Sequence, residues 1–214
     1  MRKYWVLFFF PLGWMSCANS SNPKEAESNP ADAKLEAVEV TDEQGNIEHY
    51  TRRATDFAKQ GEYTRRGADG KLLEQAFFMD DSLQGKRILF SEKGDTQIVE
   101  TYSHGYFEGP YRAFYQNGKI EIVGQYQANT MEGIWKRYYD TGELMEEVTF
   151  QDNAENGPFK EYYKNGKLKA EGSYKDGDNE HGLLKLYDET GELVKTMNCN
   201  QGICRTVWKK EGTE

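Results

Sequence analysis

The stretch "GPFKEYYKNGKLKAEGSY", residues 157–174, consists of two short aromatic and aliphatic segments around Asn165-Gly166. Asn-Gly between such segments is a hairpin signal: two-residue turns of the primed kind need positive φ, which Asn and Gly adopt at little cost. The pattern recurs along the chain. Gly61, Gly85, Gly109, Gly133 and Gly157 lie 24 residues apart, and Gly182 follows after 25. Nine residues behind each comes a second glycine, at Gly70, Gly94, Gly118, Gly142, Gly166 and Gly191. These second glycines sit in "ADGK", "EKGD", "QNGK", "DTGE", "KNGK" and "ETGE", each flanked by residues suited to a pleated surface. The lattice predicts an all-β chain of about six to seven repeated hairpins in one elongated, twisted antiparallel sheet. The glycine density and the lack of a 3.6-residue apolar period exclude helix.

Counting outward from a two-residue turn sets the register. Tyr163 then faces Leu168, Tyr139 faces Leu144 and Tyr115 faces Ile120. Further out, Phe159 faces Gly172, Trp135 faces Val148 and Tyr111 faces Gly124. Aromatic rings over glycine or a small aliphatic cover the backbone that glycine leaves bare, so this face is assigned to the core. On the other face Lys160 meets Glu171 and Lys136 meets Glu147, while Tyr162 meets Lys169, Tyr138 meets Met145 and Phe114 meets Glu121. A row of aromatics, Phe90, Phe114, Tyr138, Tyr162 and Tyr187, therefore repeats at one position per hairpin. It has two readings: a thin sheet using aromatics on both faces for stability, or a stripe that recognises an elongated partner.

Residues 1–16 form a short apolar stretch behind Arg2 and Lys3, too short to span a bilayer and shaped as a signal peptide. Ser16-Cys17 at its end resembles a bacterial lipoprotein processing site, with Trp14 where such sites usually carry Leu. The resemblance implies that Cys17 carries the lipid, palmitate included, and becomes the mature N-terminus; ordinary secretion and an uncleaved anchor are the alternatives. The compartment would then be the cell envelope, at the outer membrane or facing the periplasm. Residues 17–36, rich in Ser, Asn, Pro, Ala and charge and free of aromatics, read as the lipidated Cys and a flexible tether. Loss of Arg2 and Lys3 with the leader takes the formal charge from −9 to −11. Such a body is not held on nucleic acid by bulk electrostatics. Cys199 and Cys204, in "CNQGIC", form a plausible disulfide in an oxidising compartment and two free thiols in cytosol.

The ends need caps. Val38, Val40, Gly45 and Ile47 predict a degenerate hairpin over residues 37–60, ahead of repeats over 61–205 and a tail over 206–214. Cys199 occupies the place held by Tyr174 and Phe150 in earlier units, where a bridge to Cys204 would close the final turn. Roughly 12 to 14 strands at about 4.8 Å each give a sheet about 60 Å across.

The paired glycines, the aromatic doublets Phe114-Tyr115, Tyr138-Tyr139 and Tyr162-Tyr163, and "SYKDG" before the next unit resemble the bacterial variant of the MORN repeat, as found in YwqK-family antitoxins. The resemblance spans about residues 61–198 and weakens in the first units, where Arg66-Gly67 and Phe90-Ser91 replace the doublet. It implies a repeat sheet that binds a partner, with an antitoxin or immunity protein as one form. No nucleophile elbow, phosphate loop, zinc helix or dinucleotide fingerprint is present, so no enzyme, cofactor or metal is expected. His104 and His181 fall in loops, and turn chemistry accounts for "DNAENG" and "DGDNEHG" better than calcium. The expected function is a noncatalytic lipid-anchored protein that binds a protein or glycan.

Overall fold

The structure is a computed structural model that describes residues 34–212. The expected leader, Cys17 and nearly all of the tether lie outside the described residues. The strands are β1 (Leu35–Thr41), β2 (Ile47–Arg53), β3 (Lys59–Arg66), β4 (Leu72–Met79), β5 (Ser82–Leu83), β6 (Gly85–Phe90), β7 (Thr96–Ser103), β8 (Tyr106–Phe107) and β9 (Gly109–Phe114). There follow β10 (Ile120–Gln127), β11 (Thr130–Tyr138), β12 (Leu144–Gln151), β13 (Ala154–Tyr162), β14 (Leu168–Tyr174), β15 (Gly182–Tyr187), β16 (Leu193–Asn200) and β17 (Ile203–Lys209).

Successive strands pair antiparallel in one open sheet, with β5 and β6 sharing a flank of β4, and β8 and β9 sharing a flank of β7. The first and last strands each bond to a single neighbour, β1 to β2 and β17 to β16. The cap begins at Leu35 rather than 37, and β17 carries regular structure through Lys209, beyond residue 206 where the sequence suggested a tail.

The glycine turns are not the primed two-residue turns that the sequence suggested. In the hairpin of β13 and β14 the Tyr163 N–H donates to the Lys167 carbonyl at 2.8 Å and the Gly166 N–H donates to the Tyr163 carbonyl at 2.9 Å. Lys164, Asn165 and Gly166 thus form a three-residue loop in which Gly166 alone has positive φ, +78°. This is a type I turn closed by a left-handed glycine. The Asn serves differently: its Oδ1 accepts the Lys167 N–H at 2.9 Å, the local bond that makes Asn a turn residue.

The longer loop moves the first pairs. Tyr162 lies opposite Leu168, Tyr138 opposite Leu144 and Phe114 opposite Ile120, in place of the expected Tyr163–Leu168, Tyr139–Leu144 and Tyr115–Ile120. One residue further on, Lys169, Met145 or Glu121 is skipped as a bulge, and the register returns to the expected one at Phe159–Gly172, Trp135–Val148 and Tyr111–Gly124. An extra loop residue and an extra strand residue cancel.

Primed turns do occur, at the opposite end of the strands. Ala128-Asn129 and Asp152-Asn153 join paired strands with both φ positive, 46° and 67°, and 51° and 65°. Each Asn also reaches back one repeat: Asn129 Oδ1 accepts the Phe107 N–H and Asn153 Oδ1 accepts the Met131 N–H, both at 2.7 Å. The acidic "DNAENG" segment is turn chemistry of this kind.

Contacts run between neighbouring strands, and the core is one face of a single layer. Val148, Phe159, Ala170, Leu184 and Cys199 form its buried cluster, with Phe150, Tyr174, Leu186 and Met197 packed against it. Trp135 lies over Gly124, where a Cβ would come within 2.1 Å of the indole, so any side chain at 124 displaces the ring.

Candidate binding surfaces

The aromatic row, Phe90, Phe114, Tyr138, Tyr162 and Tyr187, is half-buried throughout, one residue at the loop end of each first strand. Its neighbours on the same face are charges in alternation. Lys136 pairs across the ladder with Glu147, Glu147 with Lys160, Lys160 with Glu171 and Glu171 with Lys185. Lys136 meets Glu147 at 2.7 Å and Lys185 meets Glu171 at 2.8 Å. The Tyr187 hydroxyl donates to the same Glu171 oxygen at 2.8 Å. The Lys185 and Tyr187 hydrogen bonds together hold the Glu171 carboxyl below the ordinary carboxylate range. Ile134, 59% exposed, and Leu183, 53% exposed, stand uncovered on this face.

The second tyrosine of each doublet has a separate task. Tyr115 donates its hydroxyl to the Tyr138 carbonyl at 2.6 Å, Tyr139 to the Tyr162 carbonyl at 2.8 Å and Tyr163 to the Tyr187 carbonyl at 2.8 Å. Asn117 and Asn165 likewise donate to Asp140 and Glu189 carbonyls in the next turn, both at 2.8 Å. These bonds tie each turn to the next and hold the first tyrosine of the doublet by its backbone, leaving that ring to the surface. Sequence periodicity places both tyrosines but cannot show the division of labour, because each acceptor lies 23 or 24 residues away.

At the C-terminal end Cys199 and Cys204 are opposite one another on β16 and β17 and are joined by a disulfide. Cys199 is 3% exposed and completes the core cluster in the position of Tyr174 and Phe150. The second glycines at 70, 94, 118, 142, 166 and 191 all have positive φ and shape turns rather than a site. Cys17 lies outside the described residues.

The core face carries features that sequence reading missed. Arg87 stands where Tyr63, Tyr111, Trp135 and Phe159 stand in other repeats, two residues after the unit's first glycine. It meets Glu74 at 2.7 Å and Glu100 at 3.2 Å, and the Tyr102 hydroxyl donates to Glu100 at 3.0 Å. Both glutamates are 8% exposed, so an ion-pair network replaces the aromatic that lies opposite a small residue in the other repeats. Further along, a cavity of about 260 Å³ is lined by Tyr111, Tyr126, Trp135, Phe150, Glu146 and Glu155, among others. A second, of about 400 Å³, is lined by Phe159, Tyr174, Leu184, Glu161 and Glu180.

Burial, with Glu146 and Asp178 nearby, raises the Glu155 carboxyl above its ordinary value of 4.5. A carboxyl whose folded value is raised binds its proton more tightly in the folded state, so its contribution to stability is lost as pH rises between the two values. Glu155→Gln is therefore expected to melt at a higher temperature than the wild type at pH 7.5, with the difference closing by pH 4. Calorimetric scans across that range measure it, and equal melting temperatures at pH 7.5 would contradict the assignment.

No curated protein matches the chain. A family model described as MORN repeat variant matches residues 107–128, 131–152 and 155–176, the middle match running from one primed turn to the next, so three consecutive repeats of this chain are similar to that variant.

Proposed function

We propose that this chain is a noncatalytic, lipid-anchored cell-envelope protein whose repeat sheet binds an elongated protein partner. The observation that carries the reading is the aromatic row, with exposed Ile134 and Leu183 beside it, presented once per repeat on the face away from the core. Aromatic side chains are favoured at interfaces, and a regular array suits a partner that extends across several repeats. The Lys and Glu ladder beside it supplies complementary charge for register. A glycan could stack on the same rings and is the competing ligand for this surface.

Tyr138→Ser with Tyr162→Ser tests the surface. The acceptors for Tyr115 and Tyr139 are backbone carbonyls that these substitutions keep, so the doublet ties survive. Binding of a purified partner is expected to weaken at least tenfold while the melting temperature falls by only a few degrees. A fall of many degrees with binding intact would make the row structural.

The anchor is tested by metabolic palmitate labelling and membrane fractionation of the wild type and Cys17→Ser. Label and membrane association are expected to disappear together in the variant. An unlabelled, soluble wild type would favour an antitoxin or immunity protein acting on a toxin, the reading that the resemblance to YwqK-family antitoxins implies, and a toxin reading frame beside the gene would support it.

A further inference from the structure

The core face contains a break in its own repeat rule. Directly across the ladder from Phe78, Tyr102 and Tyr126 stand Leu83, Phe107 and Met131, apolar residues that extend the core past the primed turn. In the next two repeats the same place is taken by glutamate: Glu155 lies opposite Phe150 and Glu180 opposite Tyr174. The rule resumes at Cys204, opposite Cys199. Consecutive carboxylates in an apolar row, against aromatic rings, are a departure of the sort that marks a site rather than a core.

Neither residue forms an ion pair among the described residues, and Arg137 acts on Glu155 only from a distance. Four carboxylates, Glu155, Glu161, Glu146 and Glu180, act on the Tyr174 hydroxyl and, after burial, are what raises its pKa. Two of them have partners: Arg137 lies 3.9 Å from Glu146 and Lys169 lies 2.7 Å from Glu161. The Glu155 and Glu180 side chains have no ion-pair or hydrogen-bond partner among the described residues. Glu155 lines the cavity with Tyr111, Tyr126, Trp135 and Phe150, where the cations Lys136 and Arg137 are paired with Glu147 and Glu146; Glu180 lines the one with Phe159 and Tyr174, where Lys169 is paired with Glu161. Trp135, 7% exposed, has an indole Nε1–H with no acceptor among the described residues. Aromatic faces beside an uncompensated carboxylate attract an alkylammonium ion, and an indole N–H is suited to a carbonyl oxygen. A lysine residue in an extended peptide offers both groups.

We propose that the two cavities flanking Phe150, Phe159 and Tyr174 receive lysine side chains of an extended partner segment, with Glu155 and Glu180 as the counter-charges. Glu155 and Glu180 project from the core face, and of the aromatic row only Tyr187 borders a cavity, so the site does not depend on Phe90, Phe114, Tyr138 or Tyr162. Its size suits a butylammonium chain in each cavity, and two neighbouring repeats present two such receptors side by side.

The test is an NMR titration of the full chain at constant ionic strength, following the Trp135 indole and Tyr174 ring signals. The probes are n-butylammonium chloride, 1-pentanol, a pentapeptide carrying lysine at its second and fourth positions, and the same peptide with norleucine in both. Butylammonium is expected to give saturable shifts with a Kd on the order of millimolar. The lysine peptide is expected to bind at least tenfold tighter, and pentanol and the norleucine peptide to shift neither signal. Glu155→Gln with Glu180→Gln is expected to weaken lysine-peptide binding at least tenfold and to melt no lower than the wild type. Equal binding of the neutral probes, or unchanged binding by the double variant, would overturn the proposal. So would a double variant that melts many degrees lower, since the carboxylates would then be structural. Butylammonium binding with no gain in the lysine peptide would assign the cavities to a free amine instead.

Discussion

Trp135→Ala is expected to lower the melting temperature by about 10 °C, the largest effect of any single aromatic truncation in the sheet. The side chain is 7% exposed and touches three other rings, with centroids at 5.1 Å from Tyr126, 5.6 Å from Tyr111 and 6.0 Å from Phe150. Below it Gly124 has no side chain to fill the space left behind. Truncating a buried Trp removes about 3–5 kcal/mol, and a chain of this size loses about 2–4 °C per kcal/mol. The architecture adds a second signature. Each strand touches its neighbours and little else, so stability is close to a sum of nearest-neighbour terms. Weakening the link between β10, β11 and β12 should split the array into halves that unfold separately, visible as two calorimetric transitions. A single transition at the wild-type temperature would show that the aromatic stack does not carry the middle of the sheet.

Arg87→Leu is expected to cost about 3 kcal/mol, measured by urea denaturation at pH 7. Burial by itself disfavours the charged guanidinium, yet the hydrogen bond and attraction from Glu74, with Tyr102 and Glu100 contributing, hold its pKa above the ordinary arginine value. Among the described residues, removing it leaves Glu100 with the Tyr102 hydroxyl and Glu74 with Arg65 at 3.4 Å. An uncompensated buried carboxylate is what makes a broken ion pair expensive; replacing the whole pair with apolar groups is often neutral. The repeat itself supplies the control. Arg87→Tyr with Glu100→Gly rebuilds the aromatic-over-glycine pair seen at Tyr111 and Gly124, and is expected to recover most of the loss. If Arg87→Leu alone were neutral, the network would be a surface feature despite its low exposure.

Much of the sheet was legible because its information is local. Tyr, Trp and Phe alternate with charge along each strand, and the glycines mark where the strand must turn, so strand positions and core face follow from spacing. The outer pairs Phe159–Gly172 and Trp135–Val148 were counted correctly although the turn was misread, because Lys169 and Met145 bulge out and restore the count. The turn type was not legible: Asn-Gly suits both a primed turn and a type I turn ending in a left-handed glycine, and the choice depends on whether the following strand can absorb a bulge. The ion-pair network was missed for a related reason. Arg87, Glu74 and Glu100 are 13 residues apart in sequence and read singly as surface charges until the ladder puts them side by side.

The sequence by itself determined that this chain is a β-hairpin array with a period of 24, which face of it is aromatic and apolar, and that its last two cysteines stand near each other. Those properties follow from alternation and glycine placement within a single repeat, where backbone sterics leave few choices. Only the tertiary structure decided which tyrosine of each doublet ties the turns and which faces outward, and which core-face glutamates form no ion pair among the described residues. Those outcomes depend on side chains from adjacent repeats meeting across paired strands, at separations that no local pattern encodes.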